Sequence, residues 1–157
     1  MKRLSGQNIS DIIERYLKKI LANSEEVEIR RSEIANQFNV VPSQINYVIK
    51  TRFTIQNGYV VESKRGGGGY IKIEKVKLLD DIDVLDSLIK VIGDSINERD
   101  AISILGSLYE DEVLNKREAS LLSASLASST LKIDDKKLEN QIRAKIIIGI
   151  LNHLRYE

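Results

Sequence analysis

The stretch that decides the predicted fold is Lys64-Arg65-Gly66-Gly67-Gly68-Gly69-Tyr70-Ile71. Its four consecutive glycines are almost half of the nine in the chain. They separate two short runs typical of β-strands, one from Gly58 to Ser63 and one from Tyr70 to Lys75. Because glycine loses more conformational freedom on folding than any other residue, such a run marks either a solvated linker or a close approach of the backbone to another molecule. The glycines alone leave both interpretations open.

The residues upstream of the glycines predict a helix-turn-helix. From Arg31 to Ile49, apolar residues keep the spacing of two short helices that cross at a tight turn. Asn39 stands where the turn needs a left-handed residue, and Pro42 suits the first turn of the second helix. Ser32 is the candidate cap of the first helix.

Another helix is predicted before this pair, because apolar residues from Ile9 to Leu21 recur on one helical face. Asn8 or Ser10 is its candidate cap. Residues Val27 to Ile29 alternate weakly and are compatible with a short strand. We interpret this first helix as scaffold.

The second helix of the pair has the composition of a DNA-recognition helix. Its apolar stripe is Ile45, Val48 and Ile49, and the segment from Pro42 to Arg52 contains no acidic residue. Asn and Gln can pair with adenine through two hydrogen bonds, and Arg and Lys can bind guanine. The predicted polar face contains Ser43, Gln44, Asn46, Tyr47, Lys50 and Thr51, with Arg52 near the end. An ordinary solvated face is the alternative interpretation.

A helix, a helix-turn-helix and a β-hairpin in this order predict a winged helix. In that fold the hairpin tip reaches the DNA backbone or the minor groove beside the recognition helix. A narrow minor groove favours an inserted arginine, and neighbouring glycines leave room for it to enter. The predicted tip of the DNA-binding wing therefore consists of Lys64, Arg65, Gly66, Gly67, Gly68 and Gly69.

Charge divides the chain into two unlike halves. Residues 1–77 carry 14 Lys and Arg against 8 Asp and Glu, whereas residues 78–157 carry 10 against 15. A basic half joined to an acidic one indicates a polyanion-binding domain attached to a domain with another role, although chance imbalance is an alternative. We predict a winged helix-turn-helix DNA-binding domain over residues 1–77 and a helical dimerisation or regulatory domain over residues 78–157.

The second half is predicted to be a helical bundle, so the fold class is mainly α with a small β-hairpin. Its last helix, from about Lys136, is apolar over much of its circumference. Such coverage indicates burial on several sides, and about 80 residues offer a limited core. Part of this surface is therefore predicted to be a homodimer interface. A core formed within a single chain is the alternative.

Catalytic and cofactor sites are not predicted. The chain has no cysteine and a single histidine, His153, which argues against a metal site. The glycine run is not followed by Gly-Lys-Ser/Thr and is not part of a Gly-x-Gly-x-x-Gly turn, which argues against a nucleotide-utilising enzyme. No apolar run reaches the length of a membrane span, and no apolar core typical of a signal peptide follows the basic N-terminus. We expect a cytoplasmic protein without membrane partners, although the absence of cysteine also permits secretion.

Several segments together resemble the CtsR family, repressors of class III stress genes in low-GC Gram-positive bacteria. They are Asn8 to Glu14, Val41 to Ile49, Thr51 to Thr54 and Val61 to Ile71, with a short match at Lys116 to Ala119. The resemblance implies a dimer that binds operators of Clp chaperone and protease genes. It also implies release by heat sensed at the wing, arginine phosphorylation by the kinase McsB, and turnover by Clp protease. The residues that match the family's modified arginines are Arg31, Arg52 and Arg65.

We therefore expect a homodimeric winged-helix repressor of operator DNA. Ser43, Gln44, Asn46, Tyr47 and Lys50 are predicted to face the major groove. Arg31 and Arg52 are predicted to bind phosphates or base edges, and the wing is predicted to enter the minor groove. The alternative function is a winged-helix protein-interaction module without operator specificity.

Overall fold

The computed structural model describes residues 8–64 and 69–156, with the backbone alone at residue 64. Within these ranges the chain divides into two compact units. The first contains the residues up to Thr54 together with Tyr59–Val76. The second contains Ile55–Gly58 and the residues from Lys77 onward. The short segment between the helix-turn-helix and the hairpin thus belongs to the second unit.

The first unit begins with three helices and a strand: α1 (Ile9–Asn23), β1 (Glu26–Arg30), α2 (Arg31–Phe38) and α3 (Pro42–Arg52). Asn8 caps α1 by accepting a 2.9 Å hydrogen bond from the backbone N–H of Asp11. Asn39 ends α2 with φ 57° and ψ 46°, which confirms the left-handed turn. The predicted cap Ser32 is wrong, because α2 starts at Arg31 directly after β1 and leaves Ser32 inside the first turn.

Strands β2 (Tyr59–Lys64) and β3 (Tyr70–Lys75) form the predicted hairpin, and β1 pairs with the free side of β3. The antiparallel sheet has the order β1-β3-β2, and Val27, Ile73 and Val61 lie opposite one another. Alternate side chains of the strands join the helices in one apolar core that includes Ile13, Leu17, Ile45, Val48, Ile71 and Ile73. The winged helix is therefore confirmed as a three-helix, three-strand unit.

The second unit is helical in every regular element that the described residues form. It contains a 3₁₀ turn (Ile55–Asn57) and helices α4 (Ile82–Ile92), α5 (Glu98–Glu110), α6 (Lys116–Leu126), α7 (Ser128–Leu131) and α8 (Lys136–Arg155). Side chains of Asp81, Asn97, Asn115 and Asp135 cap α4, α5, α6 and α8. The predicted fold class, mainly α with a small sheet in an N-terminal winged helix, is confirmed.

Helix α8 is buried along one side and exposed along another. Its buried side packs Ala144, Ile147 and Leu151 into the core of the second unit. On its other side Leu138 is 45% exposed and Ile146 is 36% exposed. Among the described residues, no helix combines the length and apolar character that a membrane span requires.

Candidate nucleic-acid interface

Helix α3 presents a polar face to solvent because its apolar face is fixed in the core. Ile45, Val48 and Ile49 are buried. On the other side, the predicted DNA-contact residues Ser43, Asn46, Tyr47 and Lys50 are exposed. Tyr47 has 54% of its surface open to solvent. Helix α3 carries no carboxylate side chain.

Gln44, the fifth residue predicted to face the major groove, contacts α1 instead. Its Nε2 donates a 2.7 Å hydrogen bond to the Oγ of Ser10, and Ser10 is buried. Gln44 itself is only partly exposed. The amide therefore holds the start of α3 against the start of α1, and the partner Ser10 was not identified from the sequence.

Arg52 also joins α3 to α1. Its Nη1 donates to Asp11 Oδ1 at 2.8 Å and to Glu14 Oε1 at 2.6 Å, and Glu14 accepts a further 2.6 Å bond from Lys18 Nζ. The hydrogen bond from Arg52 lowers the pKa of Asp11. Burial opposes ionisation of Glu14, but the bonds from Lys18 and Arg52 outweigh it and its pKa is lowered too. Both carboxylates are thus charged partners of Arg52.

Arg31 links α3 to both sides of the hairpin. Its Nε donates to Asn46 Oδ1 at 2.5 Å, its Nη2 to Ser63 Oγ at 3.1 Å, and its Nη1 to the Gly69 carbonyl oxygen at 3.3 Å. We call these four residues the Arg31 cluster. Three of them, Arg31, Asn46 and Ser63, line a cavity of about 430 Å³ between α3 and the strands. Its other lining residues are Ile49, Lys50, Phe53, Thr54, Val61 and Ile71.

Most of the predicted wing tip lies outside the described residues. This applies to Arg65, Gly66, Gly67 and Gly68, and to the side chain of Lys64. Gly69 is described, and its φ of +73° is a conformation that residues with a side chain rarely adopt. The end of the glycine run therefore requires glycine for its backbone alone.

The described residues hold no cluster of three or more His, Asp or Glu side chains that could bind a metal ion. Sequence analysis named Ser10 only as a candidate helix cap, and it assigned no role to Asp11, Glu14 or Ser63. Asp11 and Glu14 are three residues apart on α1 and therefore lie on the same face of the helix. The sequence shows this acidic pair on a basic domain, but it does not indicate that Arg52 is the partner.

Comparison with known proteins places these features in a family. The family model described as "CtsR N-terminal HTH domain" matches residues 8–77, and "CtsR C-terminal dimerization domain" matches residues 80–152. A protein of Lactiplantibacillus plantarum named "Transcriptional regulator CtsR" is 73% identical over 98% of this chain and 99% of its own length. Proteins of the same name from Geobacillus stearothermophilus and Bacillus subtilis are 47% and 45% identical, each over 96% of this chain and 99% and 98% of their own lengths.

A solved structure agrees with these matches. It is entitled "Crystal structure of CtsR in complex with a 26bp DNA duplex", and it superposes with a TM-score of 0.83 at 47% identity over 96% of this chain and all of its own. The resemblance read from the glycine run and the helix-turn-helix is confirmed in both halves of the sequence. This chain belongs to the CtsR family of transcriptional regulators.

Proposed function

We propose that this protein is a sequence-specific transcriptional repressor that binds its operator as a homodimer. The observation that carries the proposal is the acid-free, solvent-exposed face of α3, with Ser43, Asn46, Tyr47 and Lys50 outward and the opposite face buried. A related protein was crystallised with a 26-base-pair DNA duplex, which supports the same use of this unit. The N-terminal unit is then the DNA-binding domain, and the C-terminal one the dimerisation domain.

The side chains of the interface have different tasks in this proposal. Ser43, Asn46 and Tyr47 read base edges in the major groove, because hydrogen bonds to base edges carry sequence information. Lys50 contributes positive charge that draws the helix toward the phosphates. Gln44 and Arg52 hold α3 against α1 through the bonds described above.

The wing completes the proposed interface. Lys64 and Arg65 would contact the minor groove or its phosphates, and Gly66, Gly67, Gly68 and Gly69 would let the backbone approach closely. Release of DNA by heat, and by phosphorylation of Arg31, Arg52 or Arg65 through the kinase McsB, is proposed from the family resemblance. Regulation of Clp genes, turnover by Clp protease and a cytoplasmic location rest on the same resemblance.

Glycine flexibility alone would be a weak thermometer. Ordering about five wing residues costs roughly 5–10 kcal/mol at 1–2 kcal/mol each. Warming by about 10 degrees raises the absolute temperature by ~3%, which adds only ~0.2–0.3 kcal/mol per wing on the same estimate. Two wings give about a twofold loss of affinity. A sharp release by heat therefore requires a cooperative local transition in addition to the glycine entropy.

A gel-shift titration tests the proposal. The probe is a duplex from upstream of the protein's own gene, with an unrelated duplex of equal length as competitor. We expect the unrelated duplex to compete at least about a thousandfold less well. Arg65→Ala should weaken operator binding and make it less dependent on salt, because a phosphate or minor-groove contact is lost. The matched control is Arg99→Ala, an exposed arginine on α5 of the other unit.

The outcomes separate the two functions considered for the chain. Equal competition by the unrelated duplex would contradict the repressor and favour the protein-interaction module. If the protein binds its operator specifically and Arg65→Ala changes neither the affinity nor its salt dependence, the proposed DNA contact of the wing is wrong. The proposed role of the recognition helix α3 would then remain.

A further inference from the structure

Arg31 occupies a position that local helix energetics do not favour. It is the first residue of α2, and a positive side chain in the first turn opposes the helix dipole. Its neighbour Arg30 ends β1 and stacks its guanidinium over the Tyr70 ring, 4.6 Å from the centroid. Arg31 makes no such stacking contact with a ring in residues 8–64 or 69–156, and its donors are directed to α3 and the hairpin. Its placement therefore serves a contact outside its own helix.

The three hydrogen bonds of Arg31 reach residues that are far apart in sequence. Asn46 is 15 residues away on α3, Ser63 is 32 residues away on β2, and Gly69 is 38 residues away, directly before β3. Ser63 and its partner Ile71 form a rung of the hairpin. A guanidinium carries five N–H donors in a rigid fork, so one side chain can fix these distances together. A lysine, with a single nitrogen, cannot.

The bond to Asn46 also sets the orientation of an exposed amide on the recognition face. Arg31 Nε can only donate, so the oxygen of the Asn46 amide must face it and the nitrogen must lie on the other side. An asparagine that reads adenine uses its oxygen as acceptor and its nitrogen as donor together. With its oxygen engaged, Asn46 is set to act as a donor toward an acceptor on a base edge.

We propose that Arg31 is a positioning residue for DNA recognition, a role that rests on the proposed function. It turns Asn46 so that the amide N–H groups meet a base acceptor, such as guanine O6 or N7 or thymine O4. It also holds the tip end of the hairpin, at Ser63 and Gly69, at a fixed distance from α3. Arg31 thereby contributes to sequence specificity through Asn46.

The test compares four variants on the operator footprinted upstream of the protein's own gene and on duplexes with single base-pair changes. They are Arg31→Lys, Asn46→Ala, their double variant, and Ser63→Ala, with Arg30→Lys as the matched control. We expect Arg31→Lys to lose about tenfold in operator affinity despite its retained charge, since hydrogen bonds from a charged donor are lost. Specificity should relax at the base pair where Asn46→Ala relaxes it. The double variant should bind within about twofold of the weaker single variant.

Each remaining arm addresses one part of the proposal. Ser63→Ala removes a single oxygen and should lose about two- to threefold in affinity without changing base preference. Arg30→Lys should bind like the wild type. Melting curves followed by circular dichroism establish that each variant is folded. If Arg31→Lys fails to fold, Asn46→Ala and Ser63→Ala decide: no relaxed base pair in the first and no loss in the second would overturn the proposal.

Three further results would overturn it. They are wild-type affinity of Arg31→Lys, losses of Arg31→Lys and Asn46→Ala that multiply in the double variant, and relaxation at different base pairs. If the wild-type protein does not prefer its operator over unrelated duplex, the proposed function fails and the inference fails with it. Wild-type preference combined with any of the three results removes the inference alone.

Discussion

Arg52 illustrates how a single residue of α3 determines stability at one pH and not at another. It pairs with Asp11 and Glu14, and the pKa values of both carboxyls are lowered from their ordinary values of 3.8 and 4.5. A carboxyl whose pKa is lowered by folding stabilises the fold above its unfolded pKa. This stabilisation is lost as pH falls through the folded pKa. The contribution of Arg52 is therefore present at neutral pH and absent in acid.

Arg52→Ala should lower the free energy of unfolding at pH 7 by about 1 kcal/mol, the upper range for partly exposed ion pairs. The deficit should shrink as pH falls below 4.5, the ordinary pKa of Glu14, and on through the lowered pKa values of the two carboxyls, because the wild type loses the charges of its paired carboxylates there. Urea unfolding at a series of pH values measures both effects. Lys50→Ala, an exposed neighbour on the same helix, is the control and should change little. Parallel pH profiles of wild type and Arg52→Ala would contradict the role of the pair.

For single residues, the predictions were correct where the local backbone conformation determines the residue type. Asn39 and Pro42 were predicted correctly because a left-handed turn and a first helical turn each favour few residue types. Gln44 and Arg52 have partners 34 and 41 residues away on α1. Helical spacing placed both on the polar side of α3, but it contains no information about which polar residues turn back to a neighbouring helix.

Among the elements, α8 is distinguished by a fully buried arginine. Arg143 donates to the carbonyl oxygens of Leu126 at 2.7 Å and Ile96 at 3.2 Å, and it bonds to the buried carboxylate of Glu139. The hydrogen bond from Arg143 lowers the pKa of Glu139 to about 2. The Arg143 side chain thus provides hydrogen-bond donors to a carbonyl group at the end of α6 and to one just before the N-cap of α5. Helix α8 is therefore held in the second unit by hydrogen bonds of a charged side chain as well as by apolar packing.

Replacing this arginine should strongly destabilise the second unit. Arg143→Met fills similar volume but removes the buried positive charge beside Glu139 and the donor of two carbonyl groups, at a cost of about 3–5 kcal/mol. Urea unfolding at pH 7 measures the loss. Lys137→Met, an exposed change on the same helix, should cost less than about 0.5 kcal/mol. Equal stability of the two variants would show that the network contributes little.

Helices and strands could be predicted from the sequence where apolar residues recur periodically on one face. The stripe of α1 and the wide apolar coverage of α8 were predicted from the sequence, and the weak alternation at Val27 to Ile29 proved to be β1, which has β3 as its partner. The four-residue α7 was missed because it is too short to show a period. Burial of Arg143 was missed because an arginine in a helical pattern is normally assigned to the solvent side.

For the whole molecule, the open question of sequence analysis was what covers the apolar surface of α8. One side is covered within the chain, and the other borders a groove of about 610 Å³. The groove is lined by Gly93, Asp94, Leu138, Gln141, Ile142, Ala144, Lys145, Ile148, Gly149 and Asn152. We propose that a second copy of the chain occupies it, in keeping with the dimerisation domain matched over residues 80–152. On this proposal, one side of α8 belongs to the core of a single chain and the other side belongs to the homodimer interface.

Gly149 provides a sharp test of this placement, because Gly106 is its matched control. Both are exposed glycines inside long helices, α8 and α5, and a Cβ added at either would meet no atom within 4 Å. In an isolated chain, each Gly→Ala change should therefore stabilise the helix by about 0.5–1 kcal/mol. At a close contact between two helices, the added methyl group of Gly149→Ala instead overpacks the interface and costs roughly 1–3 kcal/mol.

We expect Gly106→Ala to melt at a higher temperature than the wild type with unchanged dimerisation. Gly149→Ala should raise the dimer dissociation constant by about tenfold, since 1.4 kcal/mol corresponds to that factor. Sedimentation equilibrium over a range of protein concentrations measures the dimer dissociation constants of both variants. Operator affinity should fall with the dimer in Gly149→Ala, because two half-sites are then no longer bound together. If both variants instead gain stability and dimerise like the wild type, Gly149 lies away from the contact and another face of the second unit joins the two copies.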